Sequence, residues 1–331
     1  PETLETFFGG FLADPSSQIL FHSLFMGATV AVVFFGIGRG IERAAKLLMP
    51  LLFVILIVLA LYSVTTPGFS RAESFLFRPN FGDITAGGVI EALGHSFFTL
   101  SLGLGSMLTY GSYMRRQDSI PRAALTICIL DTLIAIMACV IMFSIIFSFD
   151  FAVSKSSTIL FTTIPVIFFK RPGGAVICGL FYLLVSFAAL SSTISLLEVV
   201  ASYAIDELGW PRRRAAVTTG FSIWVFGILS ALSVGAVDAL SKFNPIGKTS
   251  TAGVFGTLDY LASNWLLPVG GLFIALFTGW ILTAGETRDE LEEGNGPLGW
   301  SYGVWRFLIR FAAPAAVGAI IVSVILGAEY Q

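Results

Sequence analysis

Charge is what this sequence has least of. Asp, Glu, Lys and Arg make up only 12% of its 331 residues, about half the roughly 25% carried by soluble domains. That excludes a water-soluble enzyme, and also a disordered scaffold, which depends on charge to stay solvated. The 19 basic residues are balanced by 21 acidic ones, with no polybasic field, so a nucleic-acid binder is excluded too. Cysteine is scarce. Cys128, Cys139 and Cys178 lie inside apolar runs without metal-ligand spacing and read as small buried hydrophobes. The signatures HExxH, GxSxG and the Walker lysine loop are missing. Gly36-Ile-Gly38-Arg-Gly40 lacks the strand–helix context of a phosphate loop and reads as a helix end. The acidic stretch Glu286–Glu293 reads as a solvated loop. Nothing here builds an enzyme.

What the sequence has is apolar length: 56% of its residues are hydrophobic. Eight runs are long enough to cross a bilayer, for which about 20 residues suffice. They are Gln18–Gly38, Ala44–Val64, Val89–Met114, Ala123–Phe149, Gly174–Ala204, Ala215–Val234, Leu258–Leu282 and Trp305–Leu326. In lipid every backbone polar group must be satisfied internally, and runs this uniformly apolar are helices rather than barrel strands. The expected fold class is an all-α integral membrane protein. Loops after the first, third, fifth and seventh runs hold Arg39, Arg43 and Lys46, then Arg115, Arg116 and Arg122, then Arg212, Arg213 and Arg214, then Arg288. The positive-inside rule makes these loops cytoplasmic and puts both termini outside. The outer loop Ala72–Gly88 is polar. The second, Asp150–Gly173, contains the apolar stretch Ile159–Phe169, which reads as a hairpin dipping toward the membrane or as a packed loop.

Several residues sit where lipid makes them costly. Within Val89–Met114, Gly103 and Gly105 are flanked by Ser101 and Ser106. Glycine near mid-depth permits close helix packing. It also permits an unwound segment whose carbonyls and amides bind ions or a zwitterion. Both readings stand. Asp131 lies nine residues past Arg122, about 13 Å into a core of about 30 Å. A carboxylate there costs about 3 kcal/mol and needs a cation, a proton or a donor. Glu198 is similarly placed and either bonds a neighbouring helix or works in transport. Ala188, Ser191, Ser192 and Ser195 share one helix face, which suits tight packing or the oxygen ligands of a hard cation. His95, one turn from Thr99, is a proton relay or a donor to a neighbouring carbonyl.

Two strings, FFTLSLGLGSMLTYGSY (Phe97–Tyr113) and FAALSSTISLLEVV (Phe187–Val200), resemble the neurotransmitter:sodium symporter family, especially its bacterial amino-acid transporters. GRGIERAAKLLMP (Gly38–Pro50) and LDYLASNWLLP (Leu258–Pro268) support the match. The resemblance covers essentially the whole chain. It implies a leucine-transporter-type inverted-repeat fold and sodium-coupled symport of an amino acid by alternating access. The setting is a multi-pass protein of the plasma membrane, in bacteria the inner membrane, with the lipid bilayer as its surroundings. Thr99 resembles a ligand of one sodium, with Asp131 where a bacterial member carries asparagine. Ala188, Ser191 and Ser192 resemble the second sodium site. Phe98, Thr99, Ser101, Leu104, Ser192 and Leu196 resemble the substrate pocket, whose apolar side chains favour an apolar or aromatic amino acid. Asp259 resembles half of the outer gate. Asp206, Ser112 and Tyr113 resemble parts of the inner gate.

Departures from the family pattern carry information. Leu104 replaces a common aromatic. Ala135 stands where chloride-dependent members carry serine, and His95 where glutamine is common. Asp131 is expected to supply the fixed charge that chloride gives elsewhere, so that chloride is not required. Nothing before Gln18 matches the family's first three helices, among them the unwound GNxWRFP-like helix that completes both sodium sites. Residues 1–17 read as the end of an outer loop, 18–64 as the last two helices of the first repeat, 89–282 as the second repeat, and 305–326 as an additional helix. The missing helices of the same protein are the expected partners, and this chain alone is expected not to transport. Two rivals remain. One is proton coupling through His95, Asp131 and Glu198. The other is a transport-inactive sensor or binding protein.

Overall fold

A computed structural model describes residues 2–78, 80–148, 161, 165, 168, 173–248 and 251–327. Nearly all of the expected Ile159–Phe169 hairpin lies outside the described residues. Among those described there is no strand. Seven helices are long and apolar enough to cross a membrane. They are α2 (Pro15–Phe34), α3 (Ile37–Val64), α7 (Ile120–Phe147), α8 (Gly174–Asp206), α9 (Arg212–Leu232), α11 (Gly253–Ile281) and α13 (Trp300–Ile325). Shorter helices precede and separate them: α1 (Glu2–Ala13) before the first, then α4 (Phe69–Phe77), α5 (Ala86–Thr99), α6 (Ser106–Gly111), α10 (Asp238–Ser241) and α12 (Ala284–Glu292).

Three expectations change. The third apolar run is not one span but two helices, α5 and α6, because the backbone leaves helical geometry between them. The segment read as the end of a loop, 1–17, is helical over Glu2–Ala13, and α2 begins at Pro15 on the side-chain cap of Asp14, which accepts from the Ser17 amide at 3.0 Å. Those hydrogen bonds from Ser17 hold the Asp14 carboxyl below its ordinary range. Cys178 is buried as expected, but Cys128 is exposed and Cys139 only partly covered, because the first half of α7 presents its apolar side chains outward.

The chain divides into two units. The first comprises Pro1–Asn80, Leu133–Asn244 and Ala252–Phe255. Its core joins Ile55, Leu56 and Leu59 of α3 to Ile141 and Ile145 of α7 and to Cys178 and Phe181 of α8. Glycine lets α2 and α9 approach closely: a Cβ on Gly220 would strike the Val30 side chain, and one on Gly227 the His22 ring. Side-chain hydrogen bonds then fasten the contact. His22 Nε2 lies 3.1 Å from the Trp224 carbonyl, Trp224 Nε1 donates to Ser23 Oγ at 3.0 Å, and the Thr29 and Thr193 hydroxyls pair at 2.9 Å.

The second unit comprises Phe81–Thr132, Pro245–Thr251 and Gly256–Gln331. Here α13 packs on α11 and α5. The end of α11 is closed by Arg306, whose guanidinium donates to the Thr278 and Leu282 carbonyls at 3.3 and 2.8 Å. These oxygens belong to the last turn, where carbonyls have no intrahelical partner. A capping box of Thr283 and Glu286 starts α12, and hydrogen bonds from the Thr283 backbone and hydroxyl hold the Glu286 carboxyl below its usual range.

Candidate functional site

The break between α5 and α6 is the main structural feature of the second unit. Ser101, Gly103 and Gly105 all have positive φ, at 53°, 83° and 82°. The last amides of the α5 turn bond back to Ser96, Phe97 and Phe98, and the helical ladder resumes only at Thr109 to Gly105. The carbonyls of residues 99–104 therefore accept no hydrogen bond among the described residues. Backbone polar groups freed at membrane depth are tolerated only against protein or a polar ligand. Both readings of the glycines hold together. The break unwinds the chain, and it also packs: a Cβ on Gly103 would collide with the Leu267 carbonyl of α11 and lie 2.9 Å from the Gly271 amide. Left-handed backbone costs an L-residue about 1–2 kcal/mol, so Gly103→Ala is expected to destabilise by at least that much. Thermal unfolding of the purified variant checks this, and a wild-type midpoint contradicts it.

Three cavities among the described residues of the second unit lie around the break. One of about 550 Å³ is lined by His95, Phe98, Asp259, Glu91 and Ser263. The volume falls in the range of about 300–1,000 Å³ typical of small-molecule sites. A second, of about 260 Å³, has Ser101, Gly103 and Gly105 on one wall and Gly271 on the other. A third, of about 1140 Å³, is lined by Ser112 with Asp118, Arg122 and Glu290. Thr99 and Leu104 line none of these. The Thr99 hydroxyl donates back to the Ser96 carbonyl at 3.3 Å, and that of Ser112 to Thr109 at 2.8 Å. Tyr113 is half-buried beside Ser112. Asp131, half-buried on α7, makes no hydrogen bond or ion pair among the described residues.

In the first unit, Ala188, Ser192 and Leu196 form an exposed stripe on α8 at i, i+4 and i+8, while Ile194, Leu197 and Glu198 face inward. The small residues are not buried in a helix contact within that unit. Ser191 Oγ donates to the Ala188 carbonyl at 2.8 Å, which puts two of the expected sodium oxygens side by side. Asp206 is exposed at the end of α8. Glu198 is fully buried and paired with Arg212 at the start of α9. Arg212 Nε also donates to the Val33 carbonyl of α2 at 3.1 Å. Sequence reasoning counted Arg212 only as a loop charge. The signal available was the Trp210-Pro211 turn, which brings α9 back beside α8.

Each unit by itself has oxygens of the kind a hard monovalent cation takes: the carbonyls of 99–104, the Thr99 hydroxyl and the Asp131 carboxylate in the second, and the Ala188 carbonyl and the Ser191 and Ser192 hydroxyls in the first. No group of three His, Cys, Asp or Glu side chains that could hold a metal occurs among the described residues.

Known proteins share this architecture. The chain is 33% identical over 318 residues to YhdH of Bacillus subtilis, described as an uncharacterized sodium-dependent transporter, covering 96% of this chain and 69% of the relative. A sodium-dependent transporter of Haemophilus influenzae is 30% identical over 323 residues, covering 96% of this chain and 68% of its own length. The crystal structure of MhsT in complex with L-phenylalanine matches with a TM-score of 0.84 and 38% identity, over 96% of this chain and 70% of MhsT. The Sodium:neurotransmitter symporter family model matches residues 17–330, and on that match, nearly as long as the chain, this protein belongs to the family.

Proposed function

We propose that the protein takes part in sodium-coupled symport of an amino acid, with the broken helix α5–α6 as the central binding element. Family members are multi-pass membrane transporters, not enzymes, and the seven spanning helices fit that setting. The observation that carries the reading is that, among the described residues, the carbonyls of 99–104 accept no hydrogen bond and Asp131 of the same unit has no hydrogen bond or ion pair. Carbonyl and hydroxyl oxygens with one carboxylate replace the hydration shell of a sodium ion. Freed backbone amides and carbonyls also match the two charged ends of an amino acid.

The residue roles follow from the resemblance to the symporter family. Thr99 and Asp131 are assigned to one sodium, and Ala188, Ser191 and Ser192 to a second. Phe98, Ser101, Leu104, Ser192 and Leu196 are assigned to the substrate. The apolar character of Phe98, Leu104 and Leu196 supports an apolar or aromatic amino acid, as does the phenylalanine bound in MhsT. Asp259, beside Phe98 in the 550 Å³ cavity, is assigned to the outer gate, and Asp206, Ser112 and Tyr113 to the inner one. Binding of sodium lowers the free energy of the closed arrangement relative to the open one, and only that difference drives the cycle.

The test is uptake of labelled phenylalanine and leucine into proteoliposomes holding the complete gene product. Uptake driven by an inward sodium gradient and absent with potassium is expected. Uptake driven by a pH gradient without sodium instead assigns the coupling to protons through His95, Asp131 or Glu198, and binding without flux assigns a sensor.

A further inference from the structure

We propose that the Thr29–Thr193 hydroxyl pair is a positioning device for the second sodium site: it fixes how far α8 is turned about its own axis, and so where Ala188, Ser191 and Ser192 present their oxygens. The inference rests on the assignment of those three residues to sodium. Thr193 follows Ser192 directly in α8, and its hydroxyl lies 2.9 Å from that of Thr29 in α2. Each hydroxyl also has a carbonyl in its own helix, Phe25 for Thr29 and Leu190 for Thr193, both at 3.0 Å. A threonine has one hydroxyl proton and two acceptor lone pairs. One proton therefore crosses between the helices, and the other stays within its own.

The helical repeat places this tie opposite the sodium oxygens. At about 100° per residue, Thr193 and Glu198 stand at the two edges of the buried face of α8, which Ile194, Leu197 and Ala201 fill. On the other side, Ala188 and Ser192 are exposed and Ser191 is half-buried. Both edges are tied to one face of α2. Thr193 meets Thr29, and Glu198 pairs with Arg212, which donates to the carbonyl of Val33, one turn on from Thr29. Thr29 and Val33 are themselves buried. Apolar contact has no direction and leaves a helix free to roll, whereas hydrogen bonds hold only over a narrow range of distance and angle. A roll of about 20° moves atoms at the Cα radius of about 2.3 Å by about 0.8 Å, and side-chain oxygens, further out, by more. Binding constellations tolerate about 0.5 Å.

Substitution separates this role from simple support. Valine keeps the branched shape of threonine and lacks the hydroxyl. Thr193→Val leaves the Thr29 hydroxyl its bond to the Phe25 carbonyl, and Thr29→Val leaves that of Thr193 its bond to the Leu190 carbonyl. Neither variant strands a buried donor, and each removes the tie between the helices.

The test is the thermal unfolding midpoint of the purified complete gene product across a sodium titration balanced with potassium. A ligand that binds only the folded protein raises the midpoint, so the titration reads sodium affinity without the transported substrate, and the sodium-free midpoint reads support. Thr193→Val and Thr29→Val are each expected to need several-fold more sodium for the wild-type rise, and the double variant no more than either single one. Thr193→Ser, which returns the hydroxyl, is expected to restore the wild-type titration. A lower sodium-free midpoint with an unchanged titration overturns the inference and makes the pair a brace only. A shift that Thr193→Ser does not reverse overturns it as well, and assigns the effect to packing of the methyl group. A wild-type midpoint indifferent to sodium overturns the sodium assignment together with this inference, whereas a wild-type rise that both valine variants share in full leaves that assignment standing and removes the inference alone.

Discussion

The Asp131→Asn protein is expected to lose most sodium-driven uptake in chloride-free buffer and to respond to added chloride. The expectation begins with depth. Asp131 lies about 13 Å into the membrane core from Arg122, on a stretch of α7 whose neighbours Ile129, Leu130, Leu133 and Ile134 are exposed apolar side chains. A carboxylate in that setting costs about 3 kcal/mol, and the described residues offer it no hydrogen bond or ion pair to offset the cost. A cation bound beside it would. Two unit charges about 4 Å apart attract by about 4 kcal/mol at an effective dielectric of 20. Removing the charge also removes its desolvation cost, so the net loss is smaller. Half of that attraction, about 2 kcal/mol, is already about thirtyfold in sodium affinity. The resemblance to the symporter family adds the direction of rescue. Ala135, one turn from Asp131, stands where chloride-dependent members carry serine, so a chloride ion would replace the charge that asparagine lacks. The measurement is initial uptake rate against sodium concentration, with chloride and with gluconate. Unchanged, chloride-indifferent uptake by Asp131→Asn removes Asp131 from the sodium site and leaves it a structural acceptor.

How much of this was legible in the sequence depended on the distance over which each feature is encoded. Spanning helices are encoded locally: a run such as Gly174–Ala204 is apolar, long and free of internal charge until Glu198, and nothing but a helix satisfies its backbone in lipid. The break in the third run was legible as a pair of readings, because Ser101, Gly103 and Gly105 permit both left-handed backbone and close approach. Only the position of the Leu267 carbonyl shows that Gly103 does both. Features made by two distant segments were not legible. Glu198 announced that it needed a partner, but Arg212 looked like one more cytoplasmic positive charge. Thr29 and Thr193 belong to separate apolar runs, and nothing in their spacing shows that α2 and α8 bring the two hydroxyls together. Cys128 misled because an apolar neighbourhood in a membrane helix means lipid as often as protein.

The second large effect is expected at Glu198 and Arg212, and it concerns stability. Glu198 has no exposed side-chain surface and Arg212 has 24%, so each single substitution strands a charge that its partner had compensated. Breaking a buried pair this way costs about 3–5 kcal/mol. Arg212→Ala should be the worse of the two. It takes the guanidinium away from the more buried of the two charges, and it also removes the donor that the Val33 carbonyl now has in Arg212 Nε at 3.1 Å. Arg212→Lys keeps the charge but loses the planar fork that reaches both the Glu198 carboxylate and the Val33 carbonyl, so it should recover only part of the loss. The double variant Glu198→Met with Arg212→Met strands no charge and costs only the Arg212 hydrogen bond to the Val33 carbonyl. Replacing a buried pair with apolar side chains of similar size is often neutral or stabilising, and the double variant is expected to unfold close to the wild type. A thermodynamic cycle over the four proteins, measured by thermal unfolding in one detergent, gives the coupling directly. Single losses that simply add in the double variant would show that the pair is not the source of the effect, and that packing of the Glu198 and Arg212 stems at the junction of α2, α8 and α9 is.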